Sequence, residues 1–277
     1  MKLRPLSPAL GVEVRGLDAS SKVDRADRAA LLTAIDEHHL LLLRNQKLDE
    51  EQQQAFAEMF GPAIDELADG HKVGLLSNVV PNAAGSGALP FHSDLSFTIS
   101  PVIGICLLAV ELPAEPTSTW FANSQLAWRT LPPALRARLV GRRVLHALAA
   151  MAAGGRADAK SRDFTLDADA PRMIHPLPLR HPRTSEPVLY LTDLHAEAIE
   201  GLAAEESDAL LVEAFTHLYS DQHIYEHQWH LGDLLMWDNI ALQHARRDVS
   251  DAKPRTFRRV SLNTHRYIDL VPTGPLD

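Results

Sequence analysis

Apolar residues at Ala29, Leu31, Leu32 and Ile35 recur at helical spacing, so "DRADRAALLTAIDEHH" (24–39) predicts a helix. It runs into "LLLLRN", whose four leucines read as a buried strand. The stretch "LDEEQQQAFAEMFG" predicts a second helix, with acidic residues in its first turn, Phe56 and Phe60 on one face and Gly61 at its end. Before both, "LSPALGVEVRGLD" reads as short strands broken by Pro and Gly. From about residue 72 the pattern shortens to β-like runs: "VGLLSNVV", "VIGICLLAVEL", "TSTWFAN", "PVLYLT", "IYEHQWH", "LLMWDN" and "RRVSLNTHR". Helical pieces interrupt them at "NSQLAWRTLPPALRARLV" and "AEESDALLVEAFTHLYS". Strands of this length with these connections predict a mainly β fold, an antiparallel sandwich or barrel with added helices. No repeat or clean boundary divides the chain, and residues 1–277 are expected to form one domain. The polar, Gly- and Asp-rich segment 153–172 is expected at the surface, where it would suit a lid.

Composition narrows the classes. The net charge of −9 and the scattered basic residues argue against nucleic acid as a partner, since no broad surface would neutralise phosphates. The dense basic stretch from Arg246 to Arg259 therefore needs a local explanation. No apolar run is long enough to span a bilayer and the N-terminus has no secretory pattern, so the expected location is cytoplasmic, with no membrane partner. The single cysteine, Cys106, lies in "VIGICLLAV" and reads as a core residue.

Chemistry enters at "PFHSDLSF" (90–97). Positions i and i+2 of a strand share a face, so His92 and Asp94 are expected side by side, with Phe91 and Leu95 turned away. His-x-Asp alone is common. Three later features give it weight: His244 after the run "GDLLMWDNIALQ", Arg255 eleven residues beyond it with Arg259 four further on, and Thr119 in "PTSTWFAN". Two imidazoles and a carboxylate, with no thiolate, suit a divalent first-row metal such as Fe(II) with open positions. A nearby arginine can grip a carboxylate bidentately.

Together these residues resemble the taurine dioxygenase family of Fe(II)/2-oxoglutarate-dependent oxygenases, which includes 2,4-dichlorophenoxyacetate dioxygenase. The resemblance rests on "HSD", Thr119, "WDNIALQH", Arg255 and Arg259, and runs from about residue 8 to 266. It implies a jelly-roll (double-stranded β-helix) core and an enzyme that uses Fe(II), 2-oxoglutarate and O2 on a small-molecule substrate. His92, Asp94 and His244 would hold the metal. Arg255 and Thr119 would hold the distal carboxylate of 2-oxoglutarate, and Arg259 would face the substrate or the proximal carboxylate. Relatives assemble as dimers or tetramers. Hydroxylation is the leading outcome, with desaturation or ring closure using the same residues. Asp94 argues against halogenation, because related halogenases replace that carboxylate with a small residue.

Departures from the family pattern bear on the substrate. "EPTST" stands where relatives carry Gly-Gly-Asp before the Thr, and Ala88 replaces an Asn four residues before His92. Asp65 and Glu66 fall where taurine dioxygenase has a sulfonate-binding His, so taurine is not the expected substrate, and either acid is a candidate for meeting an amine. Two other classes compete: a cupin-like metal-dependent hydrolase and a non-catalytic acid sensor. The hydrolase leaves Arg255 and Thr119 without a task. His223, His227 and His230 are spaced like a zinc face on a helix, but their aromatic and β-branched neighbours favour a strand, which separates them. His195 is assigned to local packing, and Trp237, Asp238 and Asn239 to the turn that presents His244.

Overall fold

The computed structural model describes residues 1–65, 70–80, 87–115, 117–148, 171–249 and 253–265. The expected lid falls almost wholly outside them, as does Glu66. Both early helices form where the pattern puts them. Asp24 caps Arg25–His38 by accepting from Asp27 N, and Asp49 caps Glu50–Ala57 in a reciprocal box with Gln52. His39 takes φ 63° at the end of the first helix and reverses the chain into Leu40–Leu43.

A seven-stranded sheet carries that strand. Its spatial order is Lys2–Pro5, Val12–Arg15, Leu40–Leu43, Leu234–Asp238, Gly104–Glu111, Thr256–Leu262 and Gly74–Ser77. All neighbours are antiparallel except Val12–Arg15 with Leu40–Leu43. Strand alternation explains the four leucines. Leu41 and Leu43 join Leu31, Ile35 and Phe56 of the helices on one side. Leu40 and Leu42 join Phe121, Trp229, Trp237 and Leu242 on the other. Buried on both faces, the strand has no place for a polar residue.

The second of those clusters lies between the large sheet and a four-stranded one, ordered Ile224–Gln228, Ser118–Asn123, Leu242–Arg246 and Leu89–His92. The chain crosses from Leu234–Asp238 to Leu242–Arg246 through a three-residue corner. That corner brings the "WDN" residues and His244 to the end of the inter-sheet core. A three-stranded sheet of Arg142–Ala147, Arg172–Leu177 and Ala196–Ile199 builds a third cluster with Ser124–Arg129, Pro133–Leu139 and Ala204–Leu218. The helical stretch after Asn123 is split in two because Pro132 and Pro133 start a new helix. Of "PVLYLT", only Pro187–Val188 pairs as a strand. Cys106 is a core residue, its thiol pushed up to about 12 by burial.

Candidate active site

His92 ends the Leu89–His92 strand and pairs in register with His244 on Leu242–Arg246. Their rings lie 4.2 Å apart between centroids. Asp94 is not on the strand, as the two-residue spacing suggested. It begins a turn in which Leu95 has φ 58°, and this turn swings the carboxylate back over both imidazoles. Asp94 Oδ1 lies 3.3 Å from His92 Nε2, and Oδ2 lies 3.8 Å from His244 Nε2. One ligand atom from each residue falls within 4.8 Å of the others, the only such group of metal-type ligands among the described residues.

The donor set fits a divalent metal. Pro90 O can only accept, so its 2.8 Å contact fixes the proton on His92 Nδ1 and leaves the Nε2 lone pair facing Asp94. Burial first, and then the neighbouring His92, push His244 down to about 3, so it stays neutral as a ligand must. Burial works to raise Asp94, but Arg259, His244 and His92 outweigh it and hold the carboxyl well below the usual range. Arg259 Nη2 donates to Asp94 Oδ2 at 3.0 Å, and Arg259 Nε to Ser261 Oγ. Arg259, expected at the substrate or the proximal carboxylate, is bonded here to the carboxylate beside the imidazoles.

The surrounding residues hold this arrangement. Asn239 Oδ1 accepts from Asp94 N, and its Nδ2 donates to Asp94 O and Val102 O. Sequence reading gave Asn239 to the His244 turn; it instead clamps the backbone of Asp94, a long-range partnership with no local signal. Asp238 does shape the turn. Its Oδ1 accepts from Ile240 N and Ala241 N, while Oδ2 takes His181 Nε2 and Arg183 Nη2. Trp237 packs edge-on against the His244 ring at 5.2 Å. His195, assigned to local packing, lies edge-on to His92 at 6.0 Å and is bonded through Nδ1 to Ser96 Oγ.

Thr119 and Arg255 converge through two aromatic rings. Trp229 Nε1 donates to Thr119 Oγ1 at 2.9 Å, Trp229 packs on Phe257 at 4.6 Å, and the Arg255 guanidinium lies 4.2 Å over that ring. Asn78 clamps the Arg255 backbone from both sides. Arg255 is 3% exposed, and no carboxylate of the described residues forms an ion pair with it. Its one side-chain hydrogen bond is a long one, Nε to Thr117 Oγ1 at 3.4 Å. Burial first, then the charge of Arg246, pull its guanidinium down to about 9. A buried cation in this state is poised for an anion.

The other expected positions sort out plainly. Asp65 Oδ2 accepts from Gly70 N and closes its own loop. His227 is bonded to Asp233, which also takes Arg44 and His230 N, while His223 bonds Thr130 and Ser220, so the three histidines hold no common site. The remaining arginines of the basic stretch divide. Arg247 is exposed over Trp120, whereas Arg258 is half-buried on Leu48 O and Arg246 half-buried on Gly87 O.

The description "Taurine catabolism dioxygenase TauD, TfdA family" matches residues 2–261. The chain belongs to this family. Pentalenolactone F synthase of Streptomyces arenae is 29% identical over 94% of each chain. The α-ketoglutarate-dependent 2,4-dichlorophenoxyacetate dioxygenase of Cupriavidus pinatubonensis is 29% identical over 93% of this chain and 96% of its own. Among solved structures, AAD-2 in complex with Mn(II) and N-oxalylglycine aligns with a TM-score of 0.79 at 26% identity, covering 99% of both chains. The family member described here is a 2-oxoglutarate-dependent dioxygenase, an oxidoreductase that works with Fe(II), 2-oxoglutarate and O2. No helix among its described residues is long and apolar enough to cross a membrane.

Proposed function

We propose that this dioxygenase hydroxylates an unactivated C–H bond of a small organic molecule, with its iron held by His92, Asp94 and His244 in a jelly-roll domain that takes up the whole chain. The observation that carries the reading is the convergence of those three donors within 4.8 Å. When bound, Fe(II) supplies the oxidising chemistry that couples loss of CO2 from 2-oxoglutarate to attack on the C–H bond.

The chain's own residues prepare that chemistry. Arg259 occupies one oxygen of Asp94, and the carboxylate has lone pairs enough to bond a metal as well. Arg255 takes the distal carboxylate of 2-oxoglutarate. Thr119 joins it: Trp229 already fills an acceptor site of the hydroxyl, so its proton is directed outward as a donor. Phe257 beneath the guanidinium fixes its plane and keeps water from that side.

Relatives act on 2,4-dichlorophenoxyacetate, (S)-phenoxypropionate and sulfate esters, so the shared chemistry serves varied substrates. Ala88 and Asp65 stand where a taurine-binding site would need other groups, which supports a substrate other than taurine. The test is succinate formation from 2-oxoglutarate with Fe(II) and ascorbate, screened with aryloxy acids, sulfate esters, sulfonates and amino acids. Stimulated succinate release with a hydroxylated product is expected. Failure of Asp94→Ala to lower Mn(II) affinity in a calorimetric titration would overturn the metal assignment.

A further inference from the structure

Among the arginines of the basic stretch with no use in the reaction so far, Arg246 lies nearest in sequence to a candidate metal ligand. It lies two residues beyond His244 on the same strand, so the two side chains share a face. The register with the neighbouring strand pairs His244 with Phe121 and Ala245 with Trp120. Arg246 and Thr119 are the next residues of those two strands, just beyond the paired Ala245 and Trp120. The arginine is half-buried, and both Nε and Nη2 are turned onto a single carbonyl, Gly87 O, at 3.1 and 2.7 Å. No carboxylate of the described residues ion-pairs with it, and Asp248 acts on it only at longer range.

The charge of this second guanidinium acts on the buried Arg255, adding to the effect of burial. Two like charges withdrawn from water repel each other and lose hydration, an arrangement that costs free energy unless an anion comes between them. Neither forms an ion pair with an acid of the described residues. We propose that Arg246 is a second cationic residue of the 2-oxoglutarate pocket, acting with Arg255 and Thr119 on the distal carboxylate. The assignment rests on the co-substrate reading above and adds to it a contact that the family pattern does not supply.

The test compares two keto acids by titration calorimetry on Mn(II)-loaded protein: 2-oxoglutarate, and 2-oxobutyrate, which lacks the distal carboxylate. Arg246→Gln is expected to weaken 2-oxoglutarate about tenfold, the low end for losing a close charge partner, while 2-oxobutyrate changes less than about twofold. Arg246→Lys, which keeps the charge without the fork, should recover part of the loss. Arg246→Met keeps the aliphatic stem and replaces the Gln variant should that one fail to fold. Unchanged 2-oxoglutarate affinity overturns the proposal. So does equal weakening of both acids, the result expected if Arg246 serves only to anchor Gly87. Arg255→Gln separates the two readings. If it too leaves the preference for 2-oxoglutarate intact, the co-substrate pocket itself is misplaced; if it abolishes the preference and Arg246→Gln does not, only the role of Arg246 falls.

Discussion

Arg255 shows how one side chain can declare its partner by the partner's absence. It is buried, lies over the Phe257 ring and has no ion-pairing acid among the described residues, so a bound anion would offset the cost of its burial. Arg255→Ala should cost about 3–5 kcal/mol of 2-oxoglutarate binding, the scale for breaking a buried charge pair, read as a rise in the apparent KM for the keto acid. Trp229 makes a finer prediction. Trp229→Phe keeps a ring against Phe257 and removes only the Nε1 donor to Thr119, so the loss should be about 1 kcal/mol, roughly a fivefold rise in KM at nearly constant kcat. An equal fall in kcat would point to a wider role for the ring.

At the scale of elements, the site depends on how strands end. The Asp94 turn is held by Asn239, whose amide serves three backbone groups at once. Asn239→Ala strands those groups in a buried place and should destabilise the fold by about 1–3 kcal/mol, with weaker Mn(II) binding as the second readout. Gly232 governs the approach to the Leu234–Asp238 strand. Its φ is 78°, and a Cβ there would lie 2.9 Å from the backbone Gln46 O, whose own residue is held in place by Gln46 N donating to Gly232 O. Gly232→Ala should therefore lower stability by about 1–3 kcal/mol, measurable as a shift in the urea midpoint. Wild-type stability in that variant would show that the turn has room to move.

For the whole molecule, buried histidines set the acid limit. His146 is fully buried beside His175, Tyr190 and His195, with both ring nitrogens unpartnered. Burial, then the charges of His175 and His195, hold it well below the ordinary histidine range, and burial lowers His175 too. The unfolded chain takes up these protons as pH falls through about 6.5 while the folded chain does not, so stability is present above that pH and lost below it. The slope is at most about 1.4 kcal/mol per pH unit for each such histidine. Urea midpoints should fall between pH 7.5 and 5.5, and His146→Phe should flatten that dependence.

The two early helices, the doubly buried leucine strand and the β-rich remainder followed from local periodicity, because burial of one face writes itself into residues three or four apart, or two apart. The donor types of the candidate metal site suggested a divalent metal, and the resemblance to the taurine dioxygenase family, not the spacing alone, supplied the keto-acid roles of Thr119 and Arg255. Only the tertiary structure put Asp94 in a turn and Asn239 on its backbone. It also laid Arg259 against the Asp94 carboxylate and paired the strand of His244 and Arg246 with the strand of Thr119. Those pairings join strands more than a hundred residues apart, and a contact made across sheets leaves no period along the chain.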